Sequence, residues 1–308
     1  MKNNNFLIGV GFALMATAFW SGNFVVSRGL SDSIHPINLA FYRWLLATLL
    51  FTPFAIKSVK KEWNIIKKQL PYLFLTALLG VSTFNTLIYF AGRSTTAVNM
   101  SLIMLTFPIF ILLISILFFK ERLGFKKVLG IGVVLSGVIS IVSQGQPTKL
   151  LDLTLNEGDP LMLFAAFIFA IHSHLIKNKD KKMSIITLQY STFLIGSIII
   201  FPFHLWVSNH NQEVVFTLPI LGSILYVAVC ASLISFLSWN KAIDKIGAVS
   251  AGMIYYLLPL FSGLVAFVLL GEKLHFYHLI SGLLIVSGIL IINRKSKNAI
   301  NKKPNKSK

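Results

Sequence analysis

Acidic residues are the scarcest chemistry in this sequence, with ten Asp and Glu in 308 residues against 28 Lys and Arg. Charge of either sign makes up only 12% of the chain, about half the fraction of an ordinary soluble domain. Long stretches carry no acid at all, and no pair of carboxylates that could do acid–base chemistry lies within them. His-Glu-x-x-His and P-loop patterns are also missing, which argues against a metalloprotease and an ATP-driven pump. A single cysteine, Cys230, excludes a disulfide within the chain and is too few for a zinc or iron–sulfur site. No metal or other cofactor is expected.

Apolar sequence is abundant. Hydrophobic residues make up 55% of the chain, 26 of them phenylalanine, and the mean hydropathy is +0.76. One compact core in water could not hold that much apolar surface, so lipid is the expected solvent for most of it. The net charge of +18 would suggest nucleic acid if the cations formed a groove. They fall instead in short clusters between uncharged stretches, the pattern of loops that anchor membrane helices. No nucleic-acid partner is expected.

A spanning helix needs roughly 20 mostly apolar residues. Ten stretches fit, at approximately 6–27, 36–56, 71–92, 97–119, 128–143, 160–176, 183–207, 217–240, 246–270 and 276–293, and only the second contains a charge, Arg43. The first stretch is longer than the 7 to 15 apolar residues of a signal peptide and is expected to be retained. With the N-terminus inside, 23 of the 28 cations fall in the inner segments and four in the outer loops. This bias orients both termini toward the cytoplasm. Residues 57–68, with Trp63, read as a short interfacial helix, and the basic tail 294–308 as disordered.

The chain also aligns with itself. At an offset of 151, Ala97-Val98 falls on Ala248-Val249, Pro108 on Pro259, Glu121 on Glu272 and Ser136-Gly137 on Ser287-Gly288. At 149, Gly9 falls on Gly158 and Pro53-Phe54 on Pro202-Phe203. This marks a duplication, with a first repeat over 1–147 and a second over 148–293. Five spans per repeat make the second copy enter from the opposite side, so the expected fold is all-α, ten transmembrane helices as two inverted five-helix repeats around a central cavity. Inverted repeats are a transporter architecture, since two halves can rock about a midplane site. A membrane-embedded enzyme remains the less favoured alternative.

Phe19-Trp20-Ser21-Gly22-Asn23-Phe24, Ala40-Phe41-Tyr42-Arg43-Trp44, Lys120-Glu121-Arg122-Leu123 and Gly271-Glu272-Lys273-Leu274 together resemble the motifs of EamA-type members of the drug/metabolite transporter superfamily. Lys120 stands where the family usually has Gly. The resemblance implies helices 1, 3, 4, 6, 8 and 9 around a cavity, small metabolites such as amino acids as substrates, and usually efflux across the cytoplasmic (inner) membrane. Import through the same fold is the alternative. A monomer or a homodimer in the bilayer is compatible with it.

Polar and aromatic residues recur at helical spacing within these stretches: Thr17, Trp20, Asn23 and Ser27; Ser82, Asn85, Thr86 and Tyr89; Ser232, Ser235 and Trp239. Such stripes serve either helix packing or a cavity lining, and the resemblance favours the second. The candidate substrate-binding set is Trp20, Asn23, Asn85, Tyr89, Met104, His172, Ser235, Trp239 and Tyr255. Asn23 and His172 are counterparts at the 149-residue offset, as are Trp20 and Phe169, and Met104 matches Tyr255 at 151. Pro108 and Pro259 are candidate hinges or static kinks. His172 is the candidate for proton coupling and, equally, for a structural role; an uncoupled facilitator stays open. Arg43, expected roughly 10 Å from the outer end of helix 2 at 1.5 Å per residue, needs compensation. It pairs with Glu272, reaches lipid phosphates or carbonyls, or binds a substrate carboxylate. Glu121 completes the candidate gating and structural set.

Overall fold

The computed structural model of the protein describes residues 2–120, 124–143, 145, 146, 148, 156–210, 214–262, 264 and 276–293. Among them all regular structure is helical. Glu121, Glu272 and the tail 294–308 lie outside the described residues.

The chain runs through α1 (Lys2–Gly29), α2 (Pro36–Lys61), α3 (Trp63–Lys68), α4 (Leu70–Ala77), a π-helical segment (Leu78–Thr83) and α5 (Phe84–Ala91). It continues with α6 (Ala97–Met104), α7 (Phe107–Phe119), α8 (Phe125–Val142), α9 (Asp159–Lys177) and α10 (Ile185–His210). The last part contains α11 (Leu218–Tyr226), a second π-helical segment (Val227–Ile234), α12 (Ser235–Ile246), α13 (Ala248–Tyr255) and α14 (Phe276–Asn293). Among the described residues, seven helical stretches, Asn99–Phe119 with its internal turn among them, are long and apolar enough to cross a membrane, and the apolar helices at Val128–Ser140, Ala248–Ser262 and Leu279–Ile292 are shorter.

Local chemistry sets the ends and breaks. Pro36 opens α2 where its missing N–H costs nothing, and His35 Nδ1 accepts the Ile37 N–H. The expected interfacial helix over 57–68 is divided: residues 57–61 continue α2, and α3 begins only after Glu62. The Glu62 carboxylate accepts the Ser184 N–H at 2.8 Å, tying this corner to the start of α10. Pro108 does not kink a continuous helix. Leu105 and Thr106 form a turn and Pro108 sits in the first turn of α7, a position that tolerates proline. Pro259 likewise follows a turn, at Tyr256 and Leu257. At the end of α7, Lys120 adopts a left-handed backbone with φ 50° and ψ 33°, a conformation that glycine takes without the Cβ penalty.

The two π-helical segments begin at Leu78 and Val227, 149 residues apart. Side chains satisfy carbonyls five residues back in or beside both: Asn85 Nδ2 donates to Gly80 O, Ser232 Oγ to Val227 O and Ser235 Oγ to Cys230 O. A widened turn of this kind is uncommon and collects at functional sites.

Packing pairs α2 with α10, α8 with α14, α1 with α12, and α5 with α9. Several residues meet their own counterparts in the sequence. The Trp44 and Phe193 rings lie 4.7 Å apart, and the Thr48 and Ser197 hydroxyls 3.5 Å apart. Trp20 meets Phe169 edge-on at 5.4 Å. Where α8 crosses α14, a Cβ built on Gly130 would come within 2.9 Å of Gly288 O, and one on Gly288 within 2.7 Å of Gly130 O. Only glycine allows backbones to approach that closely within a bilayer.

Candidate functional site

The helices converge on a buried cluster of aromatic rings. Phe169 on α9 is its hub: it stacks on Phe84 at 4.2 Å and on His172 at 5.4 Å, and meets Trp20, Phe107 and Phe236 at 5.0 to 5.8 Å. Trp239 and Tyr255 close one side, both near Trp20 and Phe107. Polar handles fix the indoles. Trp20 Nε1 donates to Ala231 O at 2.9 Å and Trp239 Nε1 to Ser173 Oγ at 3.1 Å, bonds that buried tryptophans normally make.

Beside the rings lies a polar knot centred on Arg43, which is fully buried. Its Nε donates to Ser232 Oγ, its Nη1 to Asn23 Oδ1, Asn85 Oδ1 and Tyr89 OH at 2.6 to 3.0 Å, and its Nη2 to Ala231 O at 3.0 Å. The guanidinium also lies 4.7 Å from the Trp44 ring centre, a favourable cation–π position. α1, α2, α5 and the second π-helical segment each supply part of this knot. Every hydrogen-bond acceptor of Arg43 among the described residues is neutral, one of them a backbone carbonyl, and Glu272, the acid expected as a partner, lies outside the described residues.

Between the knot and the rings is a cavity of about 10 Å³, lined by Asn23, Asn85, Trp20, Phe84, Phe169 and Tyr255 among others. That is room for at most one water. The structure is therefore closed around this point.

All nine candidate substrate-binding residues are buried, and they divide into groups. Trp20, Asn23, Asn85 and Tyr255 line the cavity, Tyr89 completes the knot, and Trp239 packs in the aromatic wall. His172 stands behind Phe169 with its Nδ1 donating to Thr76 O at 3.1 Å and its Nε2 without a partner. Asn23 and His172 share no hydrogen bond, whereas Trp20 and Phe169, the other pair of counterparts, meet. Ser235 turns back to Cys230 O, and Met104 is buried away from the cavity lining. Ser82 and Thr86 belong elsewhere: Ser82 donates to Gly196 O on α10, and both line an open apolar groove of about 290 Å³ between α2, α5 and α10. Phe84, Phe107 and Phe236 carry much of the ring cluster without any polar signal that would mark them in the sequence.

The profile of the EamA-like transporter family matches residues 7–143 and again 156–294. A protein of Archaeoglobus fulgidus named as an uncharacterized transporter is 29% identical over 283 residues, covering 90% of this chain and 94% of that one. A probable terminal-alkyne amino-acid exporter of Streptantibioticus cattleyicolor is 25% identical over 231 residues, covering 74% of this chain and 75% of that one. A solved crystal structure with 15% identity superposes with a TM-score of 0.73 over 95% of this chain and 97% of that one, a likeness of fold.

Proposed function

The chain belongs to the EamA-like transporter family, and from that membership we propose that it is a secondary transporter or facilitator exporting small metabolites, amino acids or related compounds, across the cytoplasmic membrane by alternating access. A multi-pass membrane transporter is what the family and its transporter-named relatives establish; substrate, direction and mechanism are the proposal. One observation carries it: a polar and aromatic constellation from helices of both halves surrounds a small buried cavity. The residues around this point are buried, as a carrier requires of an occluded site. The exporter among the relatives supports the outward direction and the substrate class.

Alternating access needs two halves that rock against each other. Trp44 against Phe193, Thr48 against Ser197 and Trp20 against Phe169 are contacts that a twofold axis in the membrane plane produces, because a residue near the axis meets its own copy. The proposed topology is ten helices in repeats 1–147 and 148–293, with both termini inside. Single cysteines at Asn156 and Lys181, in a Cys230-free background, are then expected to label from opposite faces. Equal labelling of both by an impermeant thiol reagent in intact cells defeats the model.

Metabolite profiling of cells with and without the protein identifies the leading compound, and proteoliposomes test its movement. Alanine at Trp20, Asn23 or Trp239 is expected to reduce that transport about tenfold or more, or to change the range of solutes carried, as loss of buried anchoring groups does. Wild-type rates and range in all three well-expressed variants would put the site elsewhere.

A further inference from the structure

Among the described residues, the closed site holds a charge without a counter-charge. Arg43 is fully buried, all of its hydrogen-bond acceptors are neutral, and no ion pair joins it to any described carboxylate. Burying a charge without an opposite one is among the costliest arrangements inside a protein, and intramembrane arginines generally mark function.

The bonding around it is also uneven. A guanidinium carries five N–H donors. Nη1 presents two hydrogens to three acceptors, whereas among the described residues Nη2 presents two hydrogens to Ala231 O alone. The shell is crowded at one nitrogen and short of an acceptor at the other. Asn23 and Asn85, two of the crowded acceptors, also line the small cavity. Each has an amide NH₂ that becomes the presented group when the side chain turns over, that of Asn85 by leaving Gly80 O. An anion entering the cavity would thus meet two reversible amides, with the Arg43 guanidinium directly behind them and not itself in the lining.

We propose that Arg43 binds a single carboxylate group of the transported solute, with the Asn23 and Asn85 amides turning to donate to the same group as the cavity widens. The proposal rests on the reading of this cavity as the transport site. Charge selects the class of anion. One guanidinium with no second cation in the knot matches a monoanion, and a phosphate dianion would leave a net negative charge buried. The adjoining Trp20, Phe84 and Phe169 rings suit an apolar body attached to that carboxylate. The solute class is therefore a small carboxylate with an aliphatic or aromatic group.

The test is binding to the purified full-length protein in lipid nanodiscs. The probes are a panel of aliphatic and aromatic carboxylates from acetate to phenylpropionate, each beside its neutral primary amide and a phosphate monoester of matching size. The wild type is expected to bind at least one carboxylate about tenfold or more tightly than its amide. Arg43→Gln is expected to erase that preference, and Arg43→Lys to keep part of it, because lysine retains the charge without the fork. Equal binding of every carboxylate and its amide by the wild type overturns the proposal without reference to any variant. Tighter binding of the phosphate esters overturns it as well. Proteoliposome transport separates the two readings: export with no carboxylate preference defeats the Arg43 assignment alone, and an Arg43-dependent preference without movement of any solute defeats the transport reading alone.

Discussion

Phe169→Ala is expected to lower the unfolding free energy by about 3–5 kcal/mol, the usual range for emptying a buried phenylalanine site. The ring is fully enclosed and touches Phe84, Phe107, Trp20, Phe236 and His172. Those neighbours come from separate helices, each with its own packing, and they cannot all move inward to fill the vacancy. Its second effect is functional. The vacated volume adjoins a cavity of about 10 Å³, so the variant is expected to accept bulkier solutes than the wild type. Thermal unfolding in detergent measures the first effect, and transport of a homologous series of solutes in proteoliposomes measures the second. Phe169→Leu, which keeps most of the volume, is expected to restore most of the stability. A loss below about 1 kcal/mol in Phe169→Ala would mean that the rings regroup around the gap.

Gly80→Ala is expected to cost about 1–3 kcal/mol, as overpacking does, even though alanine is the better helix former. A Cβ at this position would run into the His172 ring at Nδ1, Cε1 and Cγ. That ring cannot easily withdraw, because it is buried, bonded to Thr76 O and stacked on Phe169. His172→Ala alone is also expected to destabilise, since it opens a void and leaves Thr76 O without that bond. Combined with Gly80→Ala, the methyl group enters the space the imidazole leaves. The pair should therefore be more stable than the sum of the two losses predicts, by about 1–3 kcal/mol. Thermal unfolding of the two single variants and the double variant measures this difference. Strictly additive losses would mean that the π-helical segment shifts instead and that the ring is not the obstacle.

The family and the apolar character of the helices are legible in the sequence because both rest on local patterns. Uncharged length predicts helices, and short motifs such as Phe19-Trp20-Ser21-Gly22-Asn23-Phe24 carry the family. Arg43 shows where locality ends. Its depth is readable from its distance to Pro36, but Asn85, Tyr89, Ala231 and Ser232 approach it from helices far away in the chain. The second polar stripe divides for a similar reason. Counting 100° per residue places Ser82, Asn85, Thr86 and Tyr89 on one face, yet the wider π turn ends between Thr83 and Phe84 and changes the register within the stripe. Asn85 and Tyr89 then reach the knot while Ser82 and Thr86 face α10 and its groove. Phenylalanines defeat sequence reading most thoroughly. Phe84 and Phe236 form the buried wall, whereas Phe54 and Phe118 are exposed on the outer surface of the helices, and where lipid is the solvent the same side chain suits both places.

The knot around Arg43 also has a history within each molecule. Asn23 precedes Arg43 in the chain, Asn85 and Tyr89 follow within 46 residues, and Ala231 and Ser232 lie 188 and 189 residues downstream. At a synthesis rate of about 5–20 residues per second, the last two acceptors leave the ribosome roughly 10 to 40 seconds after the arginine. During that interval the newly inserted second helix holds a cation whose Nε and Nη2 partners do not yet exist. Among the described residues, the amides and the phenol of the first half are the native acceptors then available, all of them directed at Nη1. Biogenesis thus places a demand on Asn23, Asn85 and Tyr89 before any solute does: to keep a half-built membrane protein tolerable to the bilayer until its second half arrives.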